Sequence, residues 1–178
     1  MSIITGVDGV IAGGRQPVWV IDPADVTEAP TAGATTFPLA AVTGGVKIDC
    51  LYDMGDVSLT RAASTRERQR ACQKVAETIV TGHTIEGSIT AIWDQQADTA
   101  DEVNAAYSAL PEGGQAYVFV AHGHDSEVAP TAETKGDVWR VKVTQVDHTL
   151  AANADEDIKF AATLSGDGYW PNVTLSGV

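Results

Sequence analysis

The stretch IEGSITAIW at residues 85–93 carries the clearest structural pattern in this sequence. Ile85, Ile89 and Trp93 occupy alternate positions together with a glycine and an alanine, whereas Glu86 and two hydroxyl residues fall between them. Side chains two residues apart lie on the same face of a β-strand, so this alternation predicts a strand with one apolar and one polar face. The stretch therefore indicates a sheet that buries one of its sides.

Further runs of the same kind recur along the chain. They lie at residues 18–21, 46–52, 57–61, 117–120, 139–143 and 158–164. The composition agrees, because the chain has 49 Val, Ile and Thr residues against 7 Leu and 2 Met, and branching at Cβ suits strands better than helices. We expect the runs at 46–52 and 57–61 to pair as a hairpin across the intervening turn.

One segment, at about residues 99–110, has helical periodicity instead. Its apolar positions include Val103, Ala106 and Leu110, which form a stripe along one face of a helix. Thr99 and Glu102 have the spacing of a capping box. The predicted fold class is therefore mainly β, a β-sandwich or barrel with one flanking α-helix.

The 178 residues correspond to a single domain over 1–178. Residues 1–45 are rich in Gly, Pro, Ala and Thr, and we interpret them as an N-terminal arm, a short strand at 18–21 and a long loop at 22–45. Since a long connection in a compact domain often has a binding role, we expect this loop to contact a neighbouring subunit; a plain surface loop is the alternative. Residues 61–80 are ambiguous between helix and strand, and we favour an extended segment.

The charge distribution is uneven. The chain has 24 acidic and 11 basic residues, a net charge of −13, which argues against binding to nucleic acid phosphates or to anionic membranes. Five basic residues fall within residues 61–74 with Glu67 as the only acid there: Arg61, Arg66, Arg68, Arg70 and Lys74. We interpret this basic strip as a subunit interface that pairs with an acidic face of a like subunit. A solvated strand face, neutralised within its own subunit, is the alternative.

Motifs that carry chemistry are few. His122 and His124 are two residues apart beside Asp125, a spacing that could hold a divalent metal, but no further ligand set accompanies them. Cys50 and Cys72 lack the spacing of a zinc or redox motif. We predict a protein that is not an enzyme and needs no cofactor. A small metal-dependent hydrolase that uses His122 and His124 is the least favoured alternative.

No stretch reaches the roughly 18 consecutive apolar residues of a membrane span. The N-terminus also lacks the basic region of a signal peptide. We therefore expect a protein without a membrane partner that is made in a cytoplasm.

Several runs between about residues 55 and 175 resemble one protein family. They are LTR, STRER and a cysteine within 59–72, GSITAIWDQQ at 87–96, ALPEG at 109–113, DVW at 137–139, and LSG and YW within 164–170. These runs resemble the major tail tube proteins of long-tailed, non-contractile phages (siphoviruses) that infect actinobacteria. The resemblance consists of family-typical runs and includes no catalytic signature.

This resemblance implies a structural virion protein. Such proteins form hexameric rings that stack helically into the hollow phage tail tube, through which genomic DNA passes during ejection. Each subunit contributes strands to a continuous barrel around the lumen. The implied partners are other copies of the chain, the tape measure protein, and the tail terminator and distal tail proteins. DNA would be a transient cargo, not specifically bound. The implied location is the virion tail, after assembly in the host bacterial cytoplasm.

A tube that conducts DNA needs a wall that does not bind phosphate. We therefore expect a net negative lumen, with Asp49 and Glu86 as candidate lining residues, and we expect the basic strip to face protein. Another ring-forming component, such as a tail terminator or a head decoration protein, is the alternative function.

Overall fold

The computed structural model describes residues 14–72, 74–151 and 156–177. Its strands and helices, in chain order, are β1 (Val18–Ile21), β2 (Thr36–Pro38), α1 (Leu39–Gly44), β3 (Val46–Lys47), β4 (Val57–Arg68), β5 (Glu77–Ile92), α2 (Ala105–Ala109), β6 (Gln115–Val120), β7 (Lys135–Thr149) and β8 (Lys159–Ser176). Two short 3-10 helices lie at Pro23–Asp25 and Glu102–Asn104.

One eight-stranded sheet forms the body of the protein. Its strand order is β3-β1-β6-β7-β8-β5-β4, and β2 pairs in parallel with the end of β8. The other pairings are antiparallel. The stretch at residues 85–93 lies almost entirely in β5, where Ile85 and Ile89 are buried and Glu86 is exposed. The predicted mainly β fold is confirmed.

The sheet curls around its main core. Val18 of β1, Ile89 of β5 and Phe160 of β8 belong to the same buried cluster. In a flat sheet β1 and β5 would lie four strand spacings apart, about 20 Å. Side chains from both strands share one cluster, so the sheet bends and encloses that face.

The segment between β3 and β4 closes the curl and corrects the predicted strand at 46–52. Only Val46 and Lys47 are paired, and the chain then turns. The Ile48 amide donates to the Val18 carbonyl, and the Leu51 carbonyl accepts from the Ile92 amide. The predicted hairpin between 46–52 and 57–61 is also wrong, because β4 pairs instead along its whole length with β5.

A second core covers the opposite face of the sheet over β1 and β6. Trp19 and Phe119 from the sheet pack there with Phe37 and Val42. The last two belong to residues 22–45, so the predicted long loop is wrong. It folds into a 3-10 helix, β2 and α1 because its apolar side chains are buried on the subunit's own sheet.

The predicted helix at about residues 99–110 is present but shorter. It consists of the 3-10 turn Glu102–Asn104 and of α2, and Ala106 and Leu110 of the predicted stripe are fully buried. The preceding loop is held by the buried Asn104, whose amide nitrogen donates to the Asp94 and Asp98 carbonyls. These bonds hold residues 94–101 out of the helix, so Thr99 does not cap it. The short α1 is a second helix that the sequence patterns did not indicate.

Residues 61–80 are extended at both ends, as predicted. β4 continues to Arg68 and β5 begins at Glu77. β5 pairs with β8 only from Ile85 onward. Residues 62–84 therefore form a two-stranded ribbon that projects beyond the body of the sheet, and every described residue in it except Ser64 and Ile79 is exposed.

Candidate assembly surfaces

The sheet presents a broad polar face on the side of β4, β5, β8 and β7 that lies opposite the main core. Register places Thr60, Glu86, Ser165 and Lys142 in one row across the four strands. A second row contains Ser58, Ser88, Thr163 and Gln145. Small hydroxyl side chains dominate these rows, and neither row contains an apolar residue. We call this surface the polar face; all eight of these side chains are hydrophilic, and all except Ser88 are exposed.

The two carboxylates proposed for a lumen have different surroundings. Glu86 is exposed on the polar face. Asp49 lies in the turn after β3, where its side chain is only 12% exposed and pairs with Lys47 at 3.1 Å. Glu86 therefore presents its charge to solvent far more directly than Asp49 does.

The basic strip is divided between two sides of the ribbon. Arg66 and Arg68 share one side, as their spacing predicts, and this is also the side of Glu86. Arg61 points to the other side, where its guanidinium lies 5.7 Å from the Tyr169 ring centroid. Arg70 lies in the turn of the ribbon.

Lys74 also lies in this turn, which is exposed. The acids on the ribbon are Glu67 and Glu77, and register sets Glu77 directly opposite Arg68. Four cations and two carboxylates therefore surround the tip of the ribbon.

A dense group of carboxylates occupies the other end of the sheet, which we call the acidic end. β5 ends there, β7 ends there and β8 begins there, so loops that are distant in sequence converge. Its described acids are Asp53, Asp56, Asp94, Asp98, Asp101, Glu102, Asp147, Glu156 and Asp157, and Lys159 is the described lysine among them. The sequence patterns did not predict this surface, although acids are frequent in residues 94–102, because strand pairing alone assembles it.

Lys159 is paired with two carboxylates of the acidic end. Its ammonium lies 2.5 Å from an Asp53 carboxylate oxygen and 2.8 Å from one of Asp56. The hydrogen bond to Asp53, with that to Asp56, raises the pKa of Lys159 above its ordinary value. The lysine therefore stays charged and offsets only part of the negative charge at this end.

Other ionisable groups have structural partners. Arg140 forms a two-point pair with Asp167, at 2.6 and 2.9 Å, and this hydrogen bonding raises the arginine pKa. Burial, aided by the charge of Asp49, raises the pKa of Tyr52 to about 12. The Tyr52 hydroxyl donates to the Gln16 carbonyl at 2.8 Å.

The two histidines singled out for metal binding have separate partners. A ring nitrogen of His122 lies 3.6 Å from an Asp137 carboxylate oxygen. His124 instead contacts the Val128 carbonyl through its Nε2, at 3.0 Å. Within the described ranges, no group of three or more His, Cys, Asp or Glu side chains is placed to hold a metal ion. Nor does any helix in the described part of the chain have the length and apolarity to cross a membrane.

Comparison with known proteins agrees with this architecture. A family model described as phage tail tube protein matches residues 10–175. Two solved structures are similar in fold: the anti-feeding prophage (AFP) baseplate, a 6-fold symmetrised cryo-EM structure, and the SPP1 tail tube, a hybrid structure from solid-state NMR and cryo-EM. No curated protein matches the sequence.

Both structural similarities extend over most of the chain. The AFP baseplate protein matches with a TM-score of 0.50 and 9% identity over 93% of this chain and 96% of that chain. The SPP1 protein matches with a TM-score of 0.51 and 11% identity over 93% of this chain and 81% of that chain. The family model confirms the resemblance to tail tube proteins, while the assignment to actinobacterial, non-contractile phages stays a prediction. The chain belongs to the phage tail tube protein family and is a structural component of the phage tail.

Proposed function

We propose that this protein forms hexameric rings that stack into the tube through which phage DNA leaves the virion. The proposal rests on one combined observation: the chain matches the family over residues 10–175, and its sheet exposes a broad polar face. The 6-fold symmetry of the similar AFP baseplate supports the ring size. The further partners are the tape measure, tail terminator and distal tail proteins of a siphovirus.

The free edge of β4 supports lateral association into rings. β4 is the last strand of the sheet, and no strand among the described residues pairs with its outer edge. An unpaired edge of 12 residues invites uncontrolled pairing unless another strand covers it. In a ring, each subunit would cover the edge of the next, and the closed assembly would have no free edge.

The polar face is the proposed lumen wall. It carries Glu86 and, beyond the two rows, Asp147, against Lys142. Duplex DNA has about one negative charge per 1.7 Å of axis, so a net negative wall rich in hydroxyls would not retain it. Asp49 is not in these rows; it lies in the turn after β3, where its charge is paired with Lys47.

Arg66 and Arg68 limit where the ribbon can lie in the proposed tube. They lie on the same side of β4 as Glu86, yet a basic wall would retain DNA. The proposal therefore requires the ribbon to leave the wall and dock on protein. In this arrangement the basic strip, Arg61, Arg66, Arg68, Arg70 and Lys74, is a subunit interface.

Electron microscopy of the purified protein tests the function. We expect tubes of uniform width, and averaged end views with six-fold symmetry. Single rings that never elongate would favour a tail terminator instead. Protein that stays monomeric at every concentration tested would overturn the proposal.

Chemical labelling tests the position of Glu86. In a background with Cys50 and Cys72, both exposed, replaced by serine, we expect Glu86→Cys in assembled tubes to react with a small maleimide. The same tubes should exclude a maleimide carried on a polymer of protein size, because the lumen is reached only from the tube ends. Unassembled protein, the matched control, should react with both reagents. Equal reaction of assembled tubes with the large reagent would place residue 86 outside the lumen.

A further inference from the structure

The pairing of β7 with β8 is interrupted by closely spaced β-bulges. The register between the two strands shifts at three points, Gly136/Val138, Arg140/Val141 and Val143/Gln145. Elsewhere in the sheet the described pairings shift only once, in the ribbon. A bulge bends the strand that carries the extra residue and increases its twist. The β7–β8 pair is therefore the part of the body where the sheet bends most readily.

The middle bulge lies where the covering of one face of the sheet changes. Beyond it in one direction, Lys142 and Ser165 face each other in a row of the polar face. Beyond it in the other direction, Val138 and Trp170 are paired and belong to the second core. A sheet that lines a lumen with its polar face must turn its covered part away from that lumen. The bend required for this lies at the middle bulge.

The extra residue of the middle bulge is Asp167 of β8, which has no partner in the ladder. Gly166 and Gly168 flank it, and both are needed for close approach. A Cβ at Gly166 would lie 2.6 Å from a methyl carbon of Ile85, and one at Gly168 would lie 2.4 Å from a ring carbon of Trp170. Because glycine gives the backbone its widest range of conformations, the backbone alone leaves the angle of this bulge free to vary.

The side chain of Arg140 holds the bulge in one geometry. Its guanidinium donates two hydrogen bonds to the two carboxylate oxygens of Asp167, at 2.6 and 2.9 Å, and such a two-point pair fixes orientation as well as distance. The guanidinium also lies 6.0 Å from the Trp170 ring centroid. The Trp170 indole N–H in turn donates to the Thr31 carbonyl at 2.8 Å. Continuous contacts therefore join the bulge to the segment that covers the second core.

We propose that the Arg140–Asp167 pair fixes the bend between the polar face and the covered part of the subunit, and thereby sets the number of subunits in a ring. This rests on the proposed function. In a closed ring of six, the two lateral sides of a subunit differ in direction by about 60°. The stagger and tilt of strands in a closed sheet are linked to its diameter, so a different bend closes the ring with a different number of subunits. Arg140 and Asp167 are positioning residues that act within one subunit.

The pair contributes little to the stability of the subunit, and this makes a selective test possible. The side chains of Arg140 and Asp167 are 36% and 69% exposed, and exposed ion pairs add little to the free energy of unfolding. Loss of the pair should therefore change the thermal midpoint by only a few degrees. Ring size should respond much more strongly, because it depends on the angle that the pair fixes.

Electron microscopy of Asp167→Ala and Arg140→Lys tests the proposal. Lysine keeps the charge of residue 140 but lacks the planar fork that makes two parallel hydrogen bonds. Both variants should form tubes, with a spread of tube widths at least about twofold broader than that of the natural chain. Averaged end views should show rings with more than one number of subunits.

Two further variants serve as controls for the same measurement. Asp167→Glu keeps a carboxylate that can accept from the guanidinium, and its tubes should have the natural width and ring size. Glu133→Ala removes an exposed carboxylate that lies before the start of β7, outside the β7–β8 pairing. It should also leave the width and the ring size unchanged.

The outcomes separate the two proposals. A natural chain that forms no tubes overturns the proposed function and this role of the pair with it. Natural tubes, together with Asp167→Ala and Arg140→Lys tubes of the same uniform width and ring size, overturn only the role of the pair. Folded variants that form no tubes would also overturn it, because the change would then act on a contact between subunits. A large fall in thermal midpoint in both variants would assign the pair to folding instead.

Discussion

A chain in which residues 65–81 are replaced by Asn-Gly is expected to stay folded and to form no tubes. Ser64 and Gly82 face each other in the β4–β5 register, so a two-residue turn can join them directly. The removed segment buries little within the subunit, because its described residues are exposed except Ile79, which is half-buried. We therefore expect a thermal midpoint within a few degrees of the natural value and complete loss of elongation by electron microscopy and sedimentation.

Mixing the shortened chain with the natural protein gives a second test of the ribbon. The shortened chain keeps the rest of the sheet and lacks only the ribbon with its cations. Added in small amounts to the natural protein, it should shorten the tubes in proportion to its share. A control chain with Glu28→Lys and Glu133→Lys, two exposed residues outside the ribbon, should leave tube length unchanged when it is mixed in the same way. Tubes of normal length from the shortened chain alone would show that the ribbon has no part in stacking.

Gly87→Ala is expected to destabilise the subunit strongly, whereas Gly82→Ala is not. A Cβ at Gly87 would lie 2.2 Å from the Ser58 carbonyl oxygen and 2.8 Å from a Leu59 methyl carbon. The nearer atom is backbone, so β4 would have to shift away from β5. We expect a loss of about 2 to 3 kcal/mol in the free energy of unfolding, as for overpacked cores.

Gly82 is the matched control for this change. It lies in the same strand, and a Cβ there would meet no atom within 4 Å. Gly82→Ala should change the free energy of unfolding by less than about 0.5 kcal/mol. Urea denaturation of both variants makes the comparison. Equal stabilities would mean that β4 does not pack as closely on β5 as the structure places it.

Local pattern predicted the strands well where each strand has one buried face. The alternation around Ile85 and Ile89 predicted most of the sheet-forming part of β5, and the two-residue spacing of Arg66 and Arg68 predicted that they share a side. Local pattern failed at residues 46–52, where Ile48 is buried and Cys50 is exposed because the chain turns after two paired residues. It failed again at 22–45, where the burial of Phe37 and Val42 depends on the far end of β8.

Three features follow from the amino-acid sequence alone: the strand character of this protein, its negative charge and the cluster of cations at residues 61–74. Alternation and composition act over a few residues, so they can be read without knowing what packs against them. Three others are visible only in the folded chain: β4 pairs with β5, the ribbon projects, and acids between Asp53 and Asp157 meet at one end. Those outcomes depend on which strands pair and in which register. Strand pairing is set by competing contacts between residues that are remote in sequence. The same pairing separates the cations from the acids along the strands, which gives the subunit two unlike ends.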